Sequence, residues 1–195
     1  MERYNNSSFP PHGAWDRRLQ EIACKNLQPV ATLHENPWFA VRNRGGHFTL
    51  EHHLRSVVVL PVVGDGSIVM VRAKRPVIDD APLELPAGAV EENENPAVAA
   101  ARELAEETGI EILQPERFVA MAPIAVSPNR SPTLSYVFRV DVSDQEFARR
   151  GPHDHEIQSV SQVAISELPG MMESGAIYVS VPLAVIGIFL ATRRA

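Results

Sequence analysis

The chain has 195 residues, 45% of them hydrophobic and 22% charged, the balance of one globular domain with a core of useful size. Its 24 acidic and 18 basic side chains leave a formal charge of −6, which argues against nucleic acid or an anionic membrane as the main partner. The single cysteine, Cys24, excludes an internal disulfide framework and any multi-cysteine zinc site, and is expected as a small buried hydrophobe.

Residues 1–14 are polar and proline-rich and lack the basic-then-apolar order of a secretory signal, so a cytoplasmic location is expected. Trp15, Leu19 and Ile22 recur at helical spacing. From Pro29 the texture is strand-like: VATLHE, WFAVRN and HFTLE, separated by Asn-Pro and Gly-Gly turns. SVVVLPVV (56–63) and SIVMVRAKR (67–75) flank Gly64-Asp65-Gly66 and read as a hairpin. His52 and His53 are adjacent in a strand, point to opposite faces, and are taken as structural. After Pro96 the run AVAAARELAEE predicts a helix with Asn95 as N-cap, Pro96 in its first turn and Gly109 as its stop. FVAMAPIAV, TLSYVFRVDV and IQSVSQVAI read as strands, and ISELPGMMESG as a short helix or turn. The apolar stretch 176–191 is shorter than the roughly 20 residues of a membrane span and holds Pro182 and Gly187. A helix buried against a sheet is expected there, and no membrane association. Mainly antiparallel strands with inserted helices give an α+β class.

The informative segment is GAVEENENPAVAAARELAEETGI, residues 88–110. On a helical wheel Glu103, Glu106 and Glu107 share one sector, while Ala97, Val98, Ala101, Leu104 and Ala105 gather opposite. Like charges three and four residues apart destabilise an isolated helix, so the three glutamates by themselves are either a solvated acidic face or a site compensated by a hard divalent cation. Oxygen ligands at this density suit magnesium or manganese and point to hydrolysis of a phosphoanhydride. Eight glutamates and one basic residue, Arg102, lie between Glu84 and Glu111, so the acidity is local rather than diffuse.

Gly88, five residues, Glu94, seven residues, Arg102-Glu103, aliphatic Leu104, one residue, Glu106-Glu107, one residue, Gly109 and aliphatic Ile110 follow the Nudix box, and the chain resembles a Nudix hydrolase. The resemblance implies an α/β/α sandwich around a mixed sheet, with a catalytic loop-helix-loop and an N-terminal antiparallel extension. It implies an extension over 1–54 that serves dimerisation and a Nudix domain over 55–195. Glu103, Glu106, Glu107 and the Ala87 carbonyl become the ligands of Mg²⁺ or Mn²⁺, and Gly88, Glu94, Arg102 and Gly109 hold loop and helix together.

The opening Glu84-Leu85-Pro86-Ala87-Gly88 is similar to that of ADP-ribose and nucleoside-diphosphate-sugar pyrophosphatases, as are Arg75 at a strand end and the stretch NPWFAVR. That likeness makes Arg75, Glu84, Trp38, Phe39, Arg42 and Pro128 candidates for the substrate, and a homodimer the expected assembly, with exchange of the N-terminal strands between subunits left open. Two features depart from it. Pro128 lies eighteen residues past Ile110, farther than in those enzymes, and a His153-Asp154-His155-Glu156-Ile157 run stands where they carry a glutamate pair. Glu156 is the first candidate for the general base and Asp154 the second, with an imidazole of this run still open. Alternatives are a Nudix enzyme for GDP-mannose or a noncanonical nucleotide, and a Nudix-fold sensor that binds without cleaving.

Overall fold

The computed structural model describes Leu19, residues 23–64 and residues 66–193. The helix expected around Trp15 and Ile22 lies outside them, and Leu19 is buried in the core. Cys24 is a buried free thiol.

Strands β1 (Val30–Glu35), β2 (Phe39–Arg44) and β3 (His47–His52) form an antiparallel sheet of three. The inward side of β3 is polar. Glu51 is only 6% exposed and accepts bonds from Arg44 Nε at 2.5 Å, Arg44 Nη2 at 2.9 Å and Thr49 Oγ1 at 2.6 Å.

The second sheet has seven strands: β4 (Arg55–Val63), β5 (Ser67–Ala73), β6 (Leu83–Glu84), β7 (Ala87–Val90), β8 (Val119–Ala120), β9 (Tyr136–Val142) and β10 (Ile157–Ala164). β4 runs parallel to β9, and every other pairing is antiparallel, so the sheet is mixed. The unbroken apolar run of β4 follows from burial on both faces. Val57, Val59 and Val63 pack with Ala100 and Leu104 of helix α1 (Pro96–Thr108). Val58, Leu60 and Val62 pack on the other side with Leu168, Ile186 and Phe189, from α3 (Leu168–Glu173) and α4 (Ser180–Thr192). Two helical layers thus enclose the sheet, the α/β/α arrangement that the family resemblance implies. No helix among the described residues is long and apolar enough to cross a membrane.

β4 and β5 pair only at Val62–Ile68 and Val63–Ser67, because β7 occupies the first half of β4, from Arg55 to Val58. Pro61 falls between the two partners, where a strand can lack an N–H donor. In that gap Val59 N–H donates to the Pro86 carbonyl at 2.8 Å.

One strand expectation is corrected. FVAMAPIAV forms only the two-residue β8 and an isolated bridge from Ile124 to Ser135, since Pro123 interrupts the ladder. An unforeseen helix, α2 (Asp144–Ala148), follows a capping box in which the Ser143 hydroxyl accepts from Glu146 N–H at 3.2 Å and Ser143 N–H donates to Glu146 at 2.8 Å.

Arg44 holds the Glu51 carboxyl at about 2, against an ordinary 4.5. Because the folded value is depressed, the stabilisation is complete above pH 4.5 and lost as pH falls toward 2. Glu51→Gln should cost on the order of 2–3 kcal/mol at pH 7 and flatten the acid limb of a urea-unfolding series between those limits. Superimposable acid limbs in the two proteins would contradict this.

Candidate active site

Helix α1 begins and ends as its sequence dictates. The Asn95 side chain accepts from Ala97 N–H at 2.9 Å, and Gly109, at φ +71°, donates its N–H to the Ala105 carbonyl at 2.8 Å. Between these caps the helix buries Ala97, Ala100 and Leu104 and turns Glu103 and Glu107 toward Ala87 and Gly88, while Glu106 is held by Arg102 at the exposed edge of the same face.

Arg102 joins that loop to the helix. Its Nε and Nη2 make a fork on Glu94, both at 3.0 Å, and Nη2 also donates to the Ala89 carbonyl at 2.7 Å. Nη1 reaches Glu103 at 2.8 Å and Glu106 at 3.2 Å. One planar guanidinium so offsets three carboxylates and fixes the loop, a task the single ammonium of lysine cannot perform. Its pull lowers the Glu94 carboxyl below the usual range. Glu94 in turn accepts from Glu91 N–H at 2.9 Å, closing the loop on itself.

Glu103 is only 8% exposed, and burial raises its carboxyl against the pull of Arg102. It lies against Gly88, where an added Cβ would fall on the carboxyl group. Glu107 accepts from Ala87 N–H at 3.0 Å. Burial first, and then the negative charges of Glu103 and Glu84, push Glu107 up to about 7 against the pull of the Ala87 N–H and Arg75. These are all-oxygen donors in a corner where negative charge is costly, and the donor set fits a hard divalent cation. Among the described residues no three acidic, histidine or cysteine side chains already converge as a cluster. Glu103 and Glu106 bind Arg102, and Glu107 binds Ala87 N–H.

Beside this corner Arg75 forms a bidentate fork with Glu84, at 2.8 and 3.0 Å. Both line a cavity of about 1160 Å³ together with His52, Lys74, His155 and Glu156. Of the run 153–156, His155 and Glu156 face the cavity. Asp154 instead pairs with His155 through its side chain and accepts from His153 Nδ1 through its carbonyl at 2.9 Å. This loop is fastened to α1: Gly151 N–H donates to the Gly109 carbonyl and Asp154 N–H to the Glu106 carbonyl, each at 2.8 Å. Lys74 N–H donates to the Glu156 carbonyl at 3.1 Å, fixing the loop to β5 as well.

Four sequence candidates, Trp38, Phe39, Arg42 and Pro128, do not line this cavity within the chain. Trp38 is 72% exposed, Arg42 pairs with Glu35 and Glu51 at 3.3 Å each, and Pro128 lines a separate cavity with Cys24 and Thr49. Phe39 rests on the rings of His34 and His52. His52, taken from the sequence as structural, lines the cavity, and sequence reasoning passed over Lys74 and the aliphatic residues of its wall, none of which carries a motif.

A NUDIX domain family model matches residues 52–180, and the chain belongs to that family. It is similar, at 29% identity over 126 residues, to an ADP-ribose pyrophosphatase of Bacillus subtilis. It is 28% identical over 126 residues to a methanol dehydrogenase activator of Bacillus methanolicus. Each alignment covers 65% of this chain and 66% of the relative. Phosphatase NudJ of Escherichia coli K12 is 36% identical over 83 residues, 43% of this chain and 52% of that protein.

Gly109 combines a left-handed backbone with close approach to Gly151, whose carbonyl oxygen an added Cβ would overlap. Gly109→Ala should cost about 1–3 kcal/mol and speed exchange of the Gly151 and Asp154 amides by about tenfold or more. Wild-type stability with wild-type exchange at both amides would contradict the packing described.

Proposed function

We propose that the protein is a magnesium-dependent pyrophosphatase that cleaves the diphosphate of ADP-ribose or a related nucleoside diphosphate sugar. The observation that carries this reading is the single helix face of Glu103, Glu106 and Glu107 beside a cavity that holds Arg75, Glu84 and Glu156. The similarity to an ADP-ribose pyrophosphatase supports the substrate class.

Glu103, Glu106, Glu107 and the Ala87 carbonyl would hold the divalent cation, magnesium or manganese, which members of the family generally require in some form. When bound, it supplies neutralisation of diphosphate charge and acidifies water. Lys74 and Arg75 present positive charge to the diphosphate, and Glu84 orients the Arg75 fork. Glu156 takes the proton of the attacking water, with His155 the other side chain of its loop that reaches the cavity. Water adds across one P–O bond of the anhydride, giving a nucleoside monophosphate and a sugar phosphate. Arg102, Glu94, Gly88 and Gly109 are positioning residues in this account.

The same reading takes the chain as a homodimer, with an N-terminal extension over 1–54 and the hydrolase domain over 55–195. All six residues of β1 are exposed, Leu33 among them, as are Phe48 of β3 and Trp38 in the turn before β2, which supports burial of this sheet against a second copy.

Glu107→Gln should lower turnover of ADP-ribose by about 10³-fold or more. The amide oxygen can still accept from Ala87 N–H, so the thermal midpoint should hold within a few degrees. Turnover is read by release of AMP and ribose 5-phosphate with magnesium. Wild-type turnover in the variant would remove the mechanism. Wild-type protein that binds ADP-ribose without cleaving it would favour a sensor, and cleavage of GDP-mannose or a noncanonical nucleotide in preference to ADP-ribose would move the substrate.

A further inference from the structure

The cavity beside Arg75 and Glu156 has one wall of a different character. Pro76, Val77, Ile78, Val126 and Val179 line it, and Val77, Ile78 and Val126 are 99%, 53% and 52% exposed. None of these side chains can donate or accept a hydrogen bond. Among the described residues the cavity lining holds no Phe, Tyr or Trp.

The exposure of Val77 and Ile78 is built in by the turn that carries them. Arg75 N–H donates to the Asp80 carbonyl at 2.8 Å, and Ile78 N–H to the Arg75 carbonyl at 3.2 Å. Asp79 takes a positive φ of +52° to close the turn. Asp80 is held from outside by the Tyr178 hydroxyl at 2.6 Å and from within by Ala81 N–H at 2.7 Å. A turn tied this firmly presents aliphatic surface to the cavity instead of folding it away.

We propose that this wall, formed by the turn at residues 76–78 with Val126 and Val179, is the subsite for the nucleobase of the substrate. The inference rests on the pyrophosphatase reading and adds which end of the substrate lies where. A sugar against the wall would leave its hydroxyls without partners, at a cost for each unpaired group. A base has apolar faces and keeps its polar edge free for water. The wall also adjoins Lys74 and Arg75, so a base resting on it places its own phosphates beside the two cations. Contact through aliphatic carbon reads the flat face of a base and not its hydrogen-bonding edge. Discrimination among bases is then weak, since sites without polar partners separate analogues far less than sites that hydrogen-bond them.

The test measures binding to the full chain by calorimetry with magnesium, using AMP, GMP, UMP and ribose 5-phosphate. The three nucleotides should bind within about tenfold of one another, and ribose 5-phosphate, which lacks a base, about tenfold or more weaker than AMP. Ile78→Asp should weaken all three nucleotides by about tenfold or more, and Ile78→Leu should restore them. Val77→Asp, at a fully exposed side chain, is the second variant should Ile78→Asp lower the thermal midpoint. The proposal is overturned by a preference among bases above tenfold, by ribose 5-phosphate binding as tightly as AMP, by absence of nucleotide binding, or by full affinity in both aspartate variants. ADP-ribose turnover is scored separately. Nucleotide binding that follows this pattern without turnover removes the pyrophosphatase reading alone, and turnover with full affinity in the aspartate variants removes the subsite alone.

Discussion

The guanidinium of Arg102 is the interaction on which the rest of the site depends. Glu103, Glu106 and Glu107 repel one another along one helix face, and Glu94 adds a fourth carboxylate from the loop. Five hydrogen bonds from one side chain offset that charge and tie the Ala89 carbonyl to the helix. The arrangement is polarised: Glu94 and Glu103 are enclosed by the guanidinium, whereas the Glu106 side chain, bonded to it at 3.2 Å, is 51% exposed. Among the described residues no arginine bonds Glu107 directly. Burial with Glu103 and Glu84 nearby lifts its carboxyl to about 7, which makes the corner a place where positive charge is favoured.

The sheet brings the other parts to this corner. β4 changes partner along one edge, from β7 to β5, and the chain crosses the gap at Leu85 and Pro86. That crossing sets Glu84 beside Arg75 on one side and Ala87 beside Glu107 on the other. Gly88 follows at once, its lack of a side chain leaving room for Glu103. Gly109 does the same at the far end of the helix for the loop that carries Glu156. Two glycines therefore set the spacing between the helix, the opening loop and the loop of residues 151–156, and neither acts by flexibility.

Much of this was legible in the sequence where local signals and long-range packing agree. The caps of α1, the buried run of β4 and the enclosed helix α4 follow from residue chemistry at fixed spacing, and the Nudix box names the helix face. FVAMAPIAV misled because apolar composition outweighed Pro123 in the reading. β6 and β7 have two and four residues and are strands only through their partners on β5 and β4. The Ser143–Glu146 capping box was readable and was passed over. His52, Lys74, Val126 and Val179 meet at one cavity from four places in the chain, and nothing local to any of them announces it.

The acidic face of α1, organised by Arg102, is proposed as a divalent-cation site. The most direct measurement is the thermal midpoint as a function of magnesium concentration, in the wild type and in a variant with Glu103→Gln, Glu106→Gln and Glu107→Gln combined. Binding to the folded state alone stabilises it by about RT ln(1 + [L]/Kd), so the wild-type midpoint should climb with magnesium. In the triple variant it should stay flat. A wild-type midpoint unmoved at millimolar magnesium, or an equal climb in both proteins, would contradict the account.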